Sequence, residues 1–321
     1  MVEAFLIREE ENTFIGGIDE PKVVKLTEFN AKEIVLVSDP FKEQRVVEIV
    51  EKLSTLRKCS KIGLLLTPTS ALYAMNETTG LVIDMTEEGT YFNCVYEGKF
   101  LPYCSLKYNY TLKSLFKHFK DVVLPTLSCK SINLRSLSDL KKRELFNVLL
   151  SESVPNDERE CIFVSVEQED YEGSVYFEGK DIVLNIPKQS RTLLLQDLFN
   201  NHNFHAILYE TLLRIPSRIR NTIASHILLL GPFLIQDMES VLRTGLFKYL
   251  CSSDNINENQ LSSISFVNRL AIDHMEIARE NGNLWFSGGL VSRKYLLQDD
   301  KYHLTDSEFT TTTTILNKLC H

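Results

Sequence analysis

The chain has no C-x-x-C pair, no apolar run near the roughly 20 residues of a bilayer span, no excess of basic charge and no long low-complexity linker. Each absence removes a class of function. The seven cysteines (Cys59, Cys94, Cys104, Cys129, Cys161, Cys251, Cys320) are scattered and odd in number. They read as buried or idle thiols of a reducing compartment rather than a disulfide framework, metal cluster or redox pair. A net charge of -8 and a pI near 5.5 lack the basic face of a dedicated nucleic-acid binder. The opening residues, MVEAFLIREEEN, hold one short apolar run and then three acids, which is not a secretory leader. A cytosolic or nuclear protein is expected.

What is present is an ordinary globular composition: 321 residues, 44% apolar and 24% charged. That is room for one large bilobal unit or two domains around a sizeable core. The stretch Ser70 to Pro102, SALYAMNETTGLVIDMTEEGTYFNCVYEGKFLP, organises the rest. It reads as a helix end, a turn, a buried strand from Leu81 to Asp84, a tight acidic turn, and a returning strand that ends at Tyr96-Glu97-Gly98. Such a hairpin holds a phosphate when its turn glycines leave backbone N–H groups free.

Around it the pattern predicts further elements. Ala4 to Ile7 and Thr13 to Ile18 form a hairpin about a polar turn, Arg8 to Asn12. Ile34 to Val37 and Ile62 to Leu66 are buried strands. Val46, Val47, Ile49, Val50 and Leu53 mark the apolar face of a helix between them. Thr67-Pro68-Thr69-Ser70 opens the helix of Leu72, Tyr73 and Met75, with Thr67 in its cap region. Two helical patterns follow, Leu112-Leu115-Phe116-Phe119 and Leu137-Leu140-Leu145-Val148-Leu149-Leu150, each read as core. Cys161 to Gln168 reads as a strand, Val175 to Leu184 as a hairpin turning at Gly179, and Ala206 to Arg220 as an amphipathic stretch ending near Pro216. Ile227 to Leu230 is a buried strand delivering Gly231 to a turn, and a helix from Ile235 to Tyr249 follows. His202 and His205 share a helical face but lack third and fourth ligands, so no metal site is expected.

The pieces LYA, TTG, V-I-D and YEG stand in the order and near the spacing of the actin family, which the 70–102 stretch closely resembles. ETLLRIPSRIR followed by a buried strand and Gly231 resembles the actin-related families. Ile264-Ser265-Phe266 and Leu284 to Leu290 resemble the final strand and its tryptophan-x-glycine-glycine turn. Thr305 to Phe309 looks like the family's last lysine-x-glutamate-tyrosine segment. The resemblance implies an α/β, actin-like bilobal fold: two RNase H-like domains around a central cleft, with subdomain two reduced or missing near 22–33. Subdomain one would be 1–76 plus 285–321, subdomain three 77–108 plus 206–284, and subdomain four 109–205.

The family's nucleotide cleft, carried onto this chain, falls on Gly16 and Gly17, on Asp84, Thr86 and Gly89, and on Gly231. It is degenerate. Arg8, Glu9, Glu10 and Glu11 stand where the first loop has an aspartate and glycines. Carboxylates there obstruct and repel a triphosphate, each interaction worth roughly 1 kcal/mol even in water at contact distance. Met85-Thr86-Glu87-Glu88 replaces a small-glycine-acid-glycine pattern, and Pro232-Phe233 replaces the glycine-threonine of the third clasp. The water-positioning glutamine falls on Thr67, which is too short to orient an attacking water.

Among actin-related families the chain looks most like the divergent subunit at the pointed end of dynactin. That implies a non-enzymatic structural subunit, a pseudo-ATPase, capping the dynactin actin-related filament and supporting dynein-driven, microtubule-based transport. The implied partners are actin-related filament subunits and other dynactin pointed-end subunits, with no nucleic acid and no membrane insertion. The implied location is cytoplasmic and cytoskeletal. No cofactor is expected, although a trapped ATP or ADP with Mg is compatible with the resemblance. The alternatives are a nuclear actin-related subunit of a chromatin-remodelling complex, which usually carries insertions rather than deletions, and a phosphotransferase like the sugar kinases. Arg8 to Glu11, Met85 to Glu88 and Pro232-Phe233 all argue against the latter.

Overall fold

Alternation along one short apolar strand sets the core of the first half of the chain: Ile34 and Leu36 point to one side, Val35 and Val37 to the other, and all four are buried. Strands buried on both faces need helices on both sides. The computed structural model describes residues 5–10, 13–18, 22–25, 31–55, 59–151, 153–154, 157–161, 170–187, 189–190, 193, 204–230, 276–280, 284–298, 303–305, 308–309 and 315.

In chain order the first elements are β1 (Phe5–Glu10), β2 (Thr13–Gly17), β3 (Lys22–Val24), β4 (Glu33–Ser38), α1 (Glu43–Thr55), β5 (Lys61–Leu66) and α2 (Thr67–Ala74). Then come β6 (Gly80–Met85), β7 (Thr90–Tyr96), β8 (Lys99–Phe100), β9 (Leu106–Tyr108), α3 (Leu112–His118), β10 (Ser128–Cys129) and α4 (Asp139–Ser151). The strands β11 (Ser153–Val154), β12 (Asp157–Cys161), β13 (Tyr171–Phe177) and β14 (Lys180–Ile186) follow. The last described elements are α5 (Phe204–Arg214), α6 (Ser217–Ala224), β15 (His226–Leu230), β16 (Glu276–Glu280), α7 (Leu284–Gln298) and β17 (His303–Thr305). The fold is mixed α/β with several sheets. Among the described residues no helix is long and apolar enough to cross a membrane.

The chain divides into two compact units: Met1–Val82 with Asn93–Tyr103 and Gly282–His321, and Ile83–Phe92 with Cys104–Asn281. In the first unit the sheet order is β17-β5-β4-β1-β2-β3. β1, β2 and β3 form an antiparallel meander, and β4 and β5 add in parallel beyond β1. One face buries Ile7, Ile34, Leu36, Ile62 and Leu64 against the apolar stripe of α1, Val46 to Leu53. The opposite face buries Leu6, Val35, Val37 and Leu65 with Leu296 and Leu297 of α7. Each such side chain contributes about 1.5–3 kcal/mol on burial.

The other large sheet has the order β16-β15-β6-β7-β8, with β9 also on β7. Again strands fold back on one side (β8 and β9 antiparallel to β7) and two mutually parallel strands, β15 and β16, extend the other side. Over five strands the two sheets therefore share one order, a repeat that the amino-acid sequence does not display. The second unit holds a three-stranded sheet, β10-β14-β13, and an aromatic cluster of Phe116, Phe119 and Phe146, with ring centroids 5.1 to 6.4 Å apart.

Three expectations are corrected. Arg8, Glu9 and Glu10 are not a turn. They are strand residues, in register with Ile15, Phe14 and Thr13, because the ladder runs past the apolar residues. Gly288-Gly289 lies within α7 rather than in a turn. A Cβ at Gly288 would fall inside the Ser70 carbonyl and one at Gly289 inside the Leu6 side chain, so bare glycine lets this helix approach α2 and β1. Leu140 is not core: it is 79% exposed on α4, whose buried positions are Leu145, Phe146 and Leu149. The readings at residues 162–168, 202, 231–249 and 264–266 lie outside the described residues.

Candidate functional site

In the hairpin of β6 and β7, whose turn is expected to cradle a phosphate, the Thr86 and Glu88 N–H donors are spent internally. Thr86 N–H donates to the Gly89 carbonyl at 2.8 Å and the Thr86 hydroxyl to the same oxygen at 3.1 Å. The Glu88 N–H donates back to Thr86 Oγ1 at 3.2 Å, and the Leu112 N–H takes the Thr86 carbonyl at 2.9 Å. Gly89 is buried, and a Cβ there would sit 2.9 Å from the Tyr108 carbonyl oxygen, so this glycine serves the packing of β9.

One of the turn's two acids is spent as well. Glu87, whose side chain is 19% exposed, pairs through Oε1 with Arg143 Nη2 of α4, and its Oε2 lies 3.9 Å from Lys113 Nζ of α3. The Arg143 guanidinium in turn lies over the Phe116 ring, 5.6 Å from its centre. The acidic turn is an ion-paired junction rather than a solvated loop.

Asp84 is half-buried near the end of β6, in the same unit as Thr86 and Gly89. Gly16 and Gly17 belong to the other unit, as the last two residues of β2. Both are buried there; Gly16 is in register with Ile7 on one side and Lys22 on the other, and Gly17 with Leu6, so their backbone groups serve the ladder. Gly231 lies outside the described residues.

Thr67 does not cap α2. It occupies the first helical turn, where Leu66 is the cap residue, and its hydroxyl donates 2.8 Å to Asp39 Oδ1 just past β4. Lys42 Nζ meets the other oxygen, Asp39 Oδ2, at 3.1 Å. Phe41, between them, has a positive φ of 66° and packs edge-on against Phe100, ring centroids 5.9 Å apart. The carboxyl ends of parallel strands are where open α/β sheets hold ligands. Here the Thr67–Asp39 bond ties the ends of two of those strands, β4 and β5, together.

The motif residues LYA, TTG and YEG meet one another. The Gly98 N–H donates to the Thr78 carbonyl at 2.7 Å, the Glu97 N–H to Thr79 Oγ1 at 2.9 Å, and the Tyr73 hydroxyl sits where a Gly98 side chain would be. Glu97 and Gly98 have φ of 50° and 76°. The second EGK turn, Glu178-Gly179, repeats those two values. Two positive φ angles are the signature of the tight hairpin turn that matches strand twist. In RIPSRIR, Pro216 separates α5 from α6, and Arg220 donates to the Ile215 and Leu213 carbonyls at 3.0 and 3.1 Å. Those are orphan acceptors at a helix end. Partial burial lowers the Arg220 pKa from its ordinary value.

His205 is buried on α5, and among the described residues no group of three or more His, Cys, Asp or Glu could hold a metal. Of the described cysteines Cys59, Cys94 and Cys104 are buried; Cys129 is half-exposed in an open hollow of about 430 Å³ lined by residues 127–135. Partial burial pushes its thiol pKa up. The Ser131 hydroxyl, the N–H groups of Ser131 and Ile132, and Lys180 together outweigh that and hold it below the usual thiol value.

No known family model matches the chain, and no curated protein matches it.

Proposed function

We propose that the chain is a non-enzymatic actin-related subunit of actin-like bilobal fold, which caps the pointed end of the dynactin actin-related filament and supports dynein-driven transport. The observation that carries this reading is the division of labour among the motif residues. Those that fasten the scaffold to itself stand in the family's pattern: Gly98 bonds Thr78, Glu97 bonds Thr79, and the Tyr73 hydroxyl packs against Gly98. The turn that would grip a phosphate has its Thr86 and Glu88 donors and its Glu87 carboxylate engaged within the protein.

Two further features support it. A shared strand order in two sheets is what a duplicated RNase H-like scaffold requires. The connection from β3 to β4 spans only residues 25–32, too short for the family's subdomain two and the loop that reaches the next subunit. A subunit lacking that loop sits on a filament end and accepts no neighbour beyond it.

The test is filament growth. Added to actin-related filaments, the purified chain should stop growth at the pointed end alone, fail to polymerise by itself and show no saturable ATP turnover. Self-assembly, or turnover that depends on Asp84, would overturn the reading. Association with a nuclear remodeller instead of dynactin would favour the chromatin alternative.

A further inference from the structure

We infer that Glu87 is a tethered ligand: its carboxylate fills an anion site formed by Arg143 and Lys113, so that the β6–β7 turn is held to α3 and α4 without bound phosphate. The inference deepens the reading of this turn as a former phosphate loop and rests on it. Arg143 and Lys113 come from different helices and converge on one carboxylate. Arg143 is held over Phe116, a wall that fixes its fork, while Oε2 of Glu87 is buried without a hydrogen bond, 3.9 Å from the ammonium. A guanidinium and an ammonium facing one acid are the groups that recognise a phosphate. Tethering raises the local concentration of the carboxylate far above that of a free anion, so soluble phosphate does not displace it.

The neighbouring bonds fit a site that is closed rather than vacated. Thr86 and Glu88 spend their N–H groups inside the turn, and the Leu112 N–H fastens the turn to the start of α3. The ligand class is therefore a small oxyanion, admitted only when the internal acid is removed.

Thermal melting of the full chain with and without inorganic phosphate tests this. Chloride at equal ionic strength serves as the control. The wild-type midpoint should not move with phosphate. Glu87→Ala should melt about 2–4 °C lower, and phosphate should restore most of the loss. Adding Arg143→Gln should abolish the restoration. Glu87→Gln, which keeps the shape and loses the charge, covers the case in which the alanine variant does not fold, and it too should become phosphate-responsive. A wild-type midpoint raised by phosphate as much as either variant's, or variants indifferent to phosphate, would overturn the inference. Either failure would leave the filament-growth result untouched, so the two readings fail separately.

Discussion

Thr67 Oγ1 donates a 2.8 Å hydrogen bond to Asp39 Oδ1, fastening the start of α2 to the turn after β4. Thr67 is 3% exposed, and the Asp39 side chain is 16% exposed. Thr67→Val keeps the shape and removes the donor, and should cost about 1.5–3 kcal/mol, the range for a hydrogen bond to a charged group. Thr67→Ser should retain most of the stability. Urea unfolding of the three proteins, compared at constant m-value, checks this.

Helix propensity alone would make Gly288→Ala and Gly289→Ala stabilising by about 0.8–1 kcal/mol each. The packing reverses the sign. At position 288 the obstacle is the Ser70 backbone, which cannot yield, whereas at 289 it is the far end of the Leu6 side chain, which can. Both variants should be destabilised by about 1–3 kcal/mol or more, with 288 the worse. Equilibrium unfolding gives the sign and the order.

The two EGK turns form a natural control. Gly98 and Gly179 share a φ of 76°, but only Gly98 has Tyr73 against it. Gly179→Ala should cost about 1–2 kcal/mol from backbone strain alone. Gly98→Ala should cost more, and Tyr73→Phe should recover part of the excess by removing the obstructing hydroxyl. A double-mutant cycle measures that coupling.

Much of this architecture is legible before any coordinates are seen, and the reasons are local. Val46, Val47, Ile49, Val50 and Leu53 carry a strict helical stripe, and all five are buried. Gly98 and Gly179 mark their turns because the positive φ there favours glycine. The strand β3 is not legible: Lys22–Val24 is three residues long and largely exposed, so nothing periodic announces it. The extent of β1 is hidden for another reason. Arg8, Glu9 and Glu10 look like a turn, and only their pairing with β2, joined at Arg8 by β4, keeps the chain extended. At the site itself, an acid between turn residues suggests a solvated loop. Its partner Arg143 is remote in sequence, and no local pattern links them. Asp39 and Thr67 are likewise joined only by the fold.

Cys129 should alkylate ahead of Cys59, Cys94 and Cys104, which are buried. Its folded thiol ionises below the usual value, so its rate should climb at lower pH than in the unfolded chain. The sign for stability follows: a thiolate favoured in the fold adds stability as pH rises between the lowered folded value and the ordinary unfolded one. Ser131→Ala removes a donor to the thiolate and should move the rate profile to higher pH. Peptide-resolved iodoacetamide labelling across a pH series reads both effects.

A tagged version of the full chain, purified at native level with its bound proteins identified by mass, bears on the whole reading at once. Dynactin filament and pointed-end subunits should be recovered in fixed proportion to the chain. Recovery with a chromatin-remodelling complex and no dynactin subunit would contradict it.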